Sequence, residues 1–181
     1  MIFEEKAITV KNGKTVVFRS PRAEDAREMI DYLEMTAGET DYLLCYPGER
    51  KITEEQEADY LENLNRSPND VMIVCTCDGK IAGNCRIAWS TREKMRHRGT
   101  VMIALLQSCW GMGIGTAMFR EMIRIGRENH LMQLELDFVE GNTRAQALYE
   151  KMGFQIVAER PNAIRLRDGR LLKEYSMLLP L

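Results

Sequence analysis

Three glycines alternate through Trp110-Gly111-Met112-Gly113-Ile114-Gly115, between an apolar run that ends at Leu106 and a segment with helical spacing. A strand that turns tightly into a helix makes an anion site. The first helical N–H groups have no partner within the helix, and the helix dipole adds positive potential. Gly111, Gly113 and Gly115 carry no Cβ, so a phosphate can approach the backbone closely. Thr116 adds a hydroxyl in the first turn. Two familiar phosphate-binding patterns do not fit. A Walker loop requires Gly-x-x-x-x-Gly-Lys-Ser/Thr, and this turn has no such lysine. The dinucleotide fingerprint requires Gly-x-Gly-x-x-Gly/Ala, but its third position is Thr116 counted from Gly111 and Met118 counted from Gly113. Asp137 follows at a workable distance in the next strand, so a nucleotide-binding module stays open as an alternative.

The elements that must position this turn can be read from periodicity. Ala7–Val10 and Thr15–Arg19 read as strands, with Asn12-Gly13 as a hairpin turn between them. Ala23–Thr36 has helical spacing, with Ala26, Met29, Ile30 and Leu33 on one face. Asp41–Glu49 reads as a loop. Thr53 and Gln56 form a capping box for a helix that runs to about Asn65. Val71–Cys77 and Lys80–Trp89 form a strand pair about the Asp78-Gly79 turn, and Thr100–Leu106 reads as a buried strand. Gly113–Glu128 is helical, with Ile114, Ala117, Met118, Met122 and Ile125 at core spacing. In Gln133–Val139, Leu134, Leu136 and Phe138 alternate with Glu135 and Asp137. Asn142–Met152 is a short helix stopped by Gly153. Phe154–Glu159 and Leu171–Leu179 close the chain as strands. The order implies an α/β sheet protein with helices on the sheet faces.

At this turn and beyond it, the chain resembles the GNAT N-acetyltransferase superfamily. The acyl-CoA signature of that family is Arg/Gln-x-x-Gly-x-Gly/Ala, opening a helix after a strand. Gly113-Ile114-Gly115 supplies the glycines, and Trp110 stands where Arg or Gln is usual. A second signature, Asn-x-x-Ala-x-x-Leu-Tyr-x-x-x-Gly-Phe, is matched completely from Asn142 through Ala145, Leu148, Tyr149 and Gly153 to Phe154. The resemblance covers most of the chain and is densest from Val101 to Phe154.

The resemblance implies one N-acetyltransferase domain over residues 1–181. Its fold would be α/β (α+β), a mixed, mostly antiparallel sheet of about seven strands flanked by about four helices. The sheet would splay between Thr100–Leu106 and Gln133–Val139. The pantetheine arm of acetyl-CoA would lie in that opening, paired with the backbone of Ile103, Ala104 and Leu105 as an added strand would be. The pyrophosphate would sit on the turn, Gly111 included, against Met112, Gly113, Ile114, Gly115 and Thr116. A backbone N–H near Leu105 would act as oxyanion donor. Asn142 and Ala145 would touch the pantetheine, although Asn142 also suits a plain helix N-cap. Tyr149 would be the general acid, since a phenol with a pKa of about 10 is protonated at neutral pH and can donate to the leaving thiolate. The sequence singles out no general base: Glu39, Asp41, His97, Glu135, Asp137 and a water chain are all open.

Composition narrows the partners. With 25 Lys and Arg against 27 Asp and Glu, the net charge is −2, which calls for neither nucleic acid nor an anionic membrane. Five cysteines, an odd number without Cys-x-x-Cys pairs, argue against a disulfide framework. With only His97 and His130, no metal site is expected. The N-terminus does not read as a signal peptide, no stretch is a membrane span, and a reducing cytoplasm fits these features. The acceptor site of the family falls at Thr36–Arg50 and Arg160–Arg170. The first segment is acidic and aromatic (Glu39, Asp41, Tyr42, Tyr46, Glu49), and the second carries Arg160, Arg165, Arg167 and Arg170. The acceptor is therefore an amine of a small molecule or a peptide, with its class open. The resemblance also implies a possible homodimer. A CoA-binding sensor without catalysis is the other alternative.

Overall fold

In the computed structural model, residues 1–181 are described throughout except at Asn12, so that residue of the expected hairpin turn lies outside the described residues. The chain order is β1 (Lys6–Thr9), β2 (Thr15–Arg19), α1 (Ala26–Glu39), α2 (Glu54–Arg66), β3 (Asp70–Cys77), β4 (Lys80–Trp89) and β5 (Arg98–Leu105), followed by α3 (Ile114–Glu128), β6 (Gln133–Val139), α4 (Thr143–Lys151), β7 (Gln155–Arg165) and β8 (Leu171–Pro180). The strands form one sheet in the order β1-β2-β3-β4-β5-β6-β8-β7. Among the described residues it has eight strands rather than about seven, and every neighbouring pair is antiparallel except β5 with β6.

The larger core lies between the sheet and α3 and α4. Met118, Phe119 and Met122 of α3 are fully buried there against Val16, Ile87, Leu134 and Met177. The alternation expected in β6 holds, with Leu134, Leu136 and Phe138 buried. On the opposite face, α1 and α2 cover Met72, Val74 and Ile81. All five cysteines are free. Among the described residues no helix is long and apolar enough to cross a membrane.

Two elements differ from the sequence reading in ways that shape the site. Helix α1 begins after a 3-10 turn at Ala23–Asp25 and runs on to Glu39; Ala26 and Met29 are buried and Leu33 packs half-buried against the core as expected, while Tyr32 and Thr36, rather than Ile30, complete the buried face. Burial of Tyr32 is possible because its hydroxyl sits 2.9 Å from both Asn84 Oδ1 and Ala104 O. Strand β7 continues past Glu159 through Pro161. It is the edge strand, where a missing N–H breaks no ladder, and its register shifts between Arg160 and Ile164.

Candidate active site

The one parallel pairing in the sheet is short. β5 and β6 match only at Arg98↔Gln133, Gly99↔Leu134 and Thr100↔Glu135. Beyond Thr100 the strands part, β5 staying with β4 and β6 with β8. Leu106 N–H donates to Ala82 O (3.0 Å). Backbone groups alternate sides along a strand, so Val101, Ile103 and Leu105 turn theirs into the gap while Ala104 turns toward β4. The seam is pinned by Arg98, whose Nε donates to Glu135 Oε1 at 2.7 Å and whose second amine donates to Oε2 at 2.5 Å. Hydrogen bonding from that guanidinium outweighs partial burial and holds the Glu135 carboxyl below the usual carboxylate range. A depressed carboxyl pKa adds stability above the unfolded value, and that stability is lost as pH falls through the folded value. Arg98→Ala should therefore cost about 1 kcal/mol or less at pH 7, because the arginine is 40 % exposed and screened. The difference should shrink as pH falls through the lowered Glu135 value, which thermal unfolding of both proteins over a series from pH 7 down into the acid range checks.

Past the open end of β5 the chain passes Trp110 and makes the glycine turn. Gly111 has φ +76° and Gly113 φ +90°, left-handed values that favour glycine. Gly113 is the N-cap of α3, and the first helical bond runs from Ala117 N–H to Gly113 O. The N–H groups of Ile114, Gly115 and Thr116 are thus left without helical acceptors. Gly115 is needed for a different reason: a Cβ there would lie 2.9 Å from Leu148 Cδ2, 3.6 Å from Leu105 Cδ1 and 3.7 Å from Ile103 Cδ1. Its smallness lets the start of α3 close onto both β5 and α4. Trp110 does not point its polar atom at the turn. Its indole N–H donates to Leu105 O (2.9 Å), and Arg144 stacks over its ring at 4.7 Å.

Across the gap, Asn142 caps α4, its Oδ1 accepting from Ala145 N–H at 3.2 Å. Seven residues on, the ring of Tyr149 is buried among Phe119 and Phe138, edge-on at 5.5 and 6.0 Å. Burial pushes its phenol up to about 12. Its hydroxyl makes no hydrogen bond within the described protein and is not among the sealed, unpartnered oxygens, so the oxygen reaches accessible space. The helix ends at Gly153 (φ +97°), and Phe154 N–H donates back to Tyr149 O.

The α1–α2 loop forms a strap over the open end. Glu39 accepts from Gln107 N–H (2.7 Å), Tyr42 donates to Gly141 O (2.9 Å) and Tyr46 Oη accepts from Arg167 N–H (3.0 Å). A groove of about 560 Å³ runs beneath it, lined by Glu39, Asp41, Tyr42, Tyr46, Gln107 and Trp110 among others. Of the carboxylates open as bases, Glu39 and Asp41 line this groove. Glu135 is committed to Arg98, and Asp137 accepts from Ser176 Oγ (2.6 Å).

Sequence reasoning missed several residues here. Lys11 N–H donates to Met112 O in the glycine turn (3.1 Å), and Lys151 Nζ lies 3.3 Å from Thr116 Oγ1. Nothing in local spacing marks Lys11, 100 positions upstream of the turn. Arg144 and Lys151 could have been found, because both lie within the Asn142–Phe154 signature, seven positions apart on the same short helix, next to residues already singled out.

Comparison with known proteins bears on what this arrangement is for. No curated protein sequence matches the chain. Among solved structures, the GNAT-family acetyltransferase of Streptococcus pneumoniae superposes with a TM-score of 0.85 at 25% identity, covering 92% of this chain and 99% of that one. The ribosomal-protein-alanine N-acetyltransferase of Brucella melitensis gives 0.77 at 22% identity, covering 91% and 99%. The phosphinothricin acetyltransferase of Sinorhizobium meliloti, solved with acetyl-CoA, gives 0.78 at 18% identity, covering 96% and 89%. The model of the acetyltransferase (GNAT) family matches residues 35–154, a stretch that spans the strap, the parted strands, the glycine turn and α4. With the parted sheet and the matched family model in agreement, the chain belongs to the GNAT acetyltransferase family.

Proposed function

We propose that the protein transfers an acetyl group from acetyl-CoA to a primary amine by direct attack on the thioester. The observation that carries this reading is the parting of β5 from β6 beside the uncapped N–H groups of Ile114, Gly115 and Thr116. An extended amide-bearing arm can pair with the gap-facing backbone of β5, while an anionic group meets the start of α3. Met112 to Thr116 hold the pyrophosphate, and the β5 segment from Ile103 to Leu105 holds the pantetheine. Asn142 keeps its side-chain amide N–H for the same arm, since only its oxygen is used in capping. An N–H near Leu105 takes the charge that develops on the carbonyl oxygen, and Tyr149 protonates the departing thiolate.

The groove beneath the strap favours a cationic acceptor. Of the four arginines in the Arg160–Arg170 segment, Arg160 pairs with Glu174, Arg167 with Glu49 at 3.6 Å and Arg170 with Asp168 at 2.7 Å. The groove itself presents Glu39, Asp41 and the aromatic rings of Tyr42, Tyr46 and Trp110. With Arg144 on the Trp110 ring and Arg167 on the Tyr46 ring, the carboxylates of Glu39 and Asp41 are what suit an amine on a molecule with further positive charge better than an amino-acid carboxylate.

Saturating acetyl-CoA should raise the melting temperature, as a ligand of the native state must. ATP and NAD should not raise it comparably. Thiol release across a panel of polyamines, aminoglycoside-type amines, amino acids and peptides should be fastest with the polycations. Absence of a shift with acetyl-CoA would remove the proposal. Binding without turnover on any amine would leave a CoA-responsive sensor instead.

A further inference from the structure

We infer that Lys11 is a phosphate-binding residue of the acetyl-CoA site and supplies the cation that position 110 lacks. The inference rests on the acetyl-CoA reading above. The turns between β1 and β2 and between β3 and β4 lie at the same end of the sheet as the open end of β5, since Val16 pairs with Cys77 and Gly83 with Leu105. The first of these turns therefore meets the start of α3. Lys11 N–H donates to Met112 O at 3.1 Å, which fixes the backbone of Lys11 against the glycine turn whatever its side chain. The side chain then lies flat on Gly113. The point where a Cβ of residue 113 would stand is 3.6 Å from Lys11 Cγ, 3.9 Å from Cδ and 3.8 Å from Cε. The ammonium is one bond of about 1.5 Å further on, beside the N-cap of a 15-residue helix.

Three other cations near the glycine turn already have partners. Lys14 binds Asp78 at 3.1 Å, Arg144 stacks on Trp110, and Lys151 donates to Thr116 Oγ1. Lys11 forms no side-chain hydrogen bond or ion pair among the described residues. Trp110 cannot serve an anion, because its one N–H is spent on Leu105 O. A diphosphate seated on Met112–Thr116 would thus meet dipolar N–H groups from the helix, the ammonium of Lys151 beside Thr116, and a further full charge from Lys11, delivered from the opposite end of the sequence. An aliphatic stem that merely covers a glycine would give the same packing without needing the charge, so the charge is what must be tested.

Lys11→Met keeps the stem and removes the charge, and Lys11→Arg keeps the charge. Titration calorimetry with CoA should show Lys11→Met binding about tenfold more weakly at low salt, with the loss shrinking toward twofold at about 0.5 M salt as screening sets in. Lys11→Arg should bind nearly as the unmodified chain does, and both variants should melt without ligand at the unmodified temperature. Dephospho-CoA, which retains the pyrophosphate but lacks the 3′-phosphate, should show the same tenfold loss, and S-acetylpantetheine, which lacks both, none. Equal CoA affinity of Lys11→Met and the unmodified chain at low salt would overturn the inference, as would a loss seen with CoA but absent with dephospho-CoA. If the unmodified chain fails to bind CoA, the acetyl-CoA reading itself falls, which is a different outcome from either of these.

Discussion

Replacing Tyr149 by phenylalanine should lower turnover by about two to three orders of magnitude while leaving the melting temperature within a degree or two. The two halves of this expectation come from the same geometry. The ring is held by edge-on contacts with Phe119 and Phe138, which phenylalanine preserves. The hydroxyl has no partner within the described protein, so its removal orphans nothing. A purely structural tyrosine would therefore be silent in both measurements. Burial that raises the phenol to about 12 also fixes the pH signature. A group with that pKa remains protonated from neutrality to beyond pH 10, so it stays a proton donor throughout. The pH profile of kcat/KM should then rise as the acceptor amine deprotonates, with no fall from Tyr149 below about pH 11. The phenylalanine variant should be slower by a constant factor along that profile. Equal turnover of the two proteins with a good acceptor at every pH would show that another group donates the proton.

The second large effect belongs to the glycine turn. Gly115→Val should weaken acetyl-CoA binding by about two orders of magnitude and cost about 1–3 kcal/mol in stability through overpacking. An added Cβ meets Leu148 Cδ2 at 2.9 Å, and valine's two further methyls would also press on Leu105 and Ile103. Those neighbours belong to β5 and α4, so the strain spreads onto both walls of the gap. Gly113→Ala acts differently. It forces a side chain to φ +90° and fills the space between the turn and Lys11, at a conformational cost of about 1–2 kcal/mol. Trp110→Phe removes one hydrogen bond to Leu105 O, worth about 1 kcal/mol, and keeps a ring for Arg144. CoA affinity should therefore fall more for either glycine than for Trp110. The reverse order in a binding titration would mean that the indole itself holds the ligand.

What the sequence made legible was the part carried by short-range pattern. Alternation placed β6 with its bounds and its buried leucines. Apolar periodicity placed α3, and Gly153 marked the end of α4. The glycines of the turn could be read because a left-handed φ at Gly113 and close packing at Gly115 each exclude other residues. Contacts made between segments left no such mark. The buried side of α1 turned on Tyr32, whose burial depends on Asn84 and Ala104 more than 50 positions away. β7 ran past Pro161 because its outer side has no strand to satisfy, a fact of sheet order rather than of local propensity. The strap and Lys11 reach the site only because three turns arrive at one end of the sheet. Nor could the sequence show that Arg160 pairs with Glu174 and Arg167 with Glu49, contacts made between segments.

The three-residue seam between β5 and β6 gives the sheet an uneven mechanics. At the closed end, Gly99 and Gly126 let Leu134 and Ile87 pack so tightly that a Cβ at Gly99 would lie 2.9 Å from Leu134 Cδ2 and one at Gly126 3.3 Å from the same atom. That end behaves as a clamp. Toward Leu105 and Val139 the two halves of the sheet share no backbone ladder, and the strap bridges them through side chains: Tyr42 donates to Gly141 O, Tyr46 Oη accepts from Arg167 N–H, and Glu49 pairs with Arg167. The halves are thus joined along the sheet only over Arg98–Thr100, with the strap spanning them at the open end. Tight packing and backbone pairing are concentrated at the Arg98–Thr100 end and absent where the proposed acetyl-CoA arm would lie.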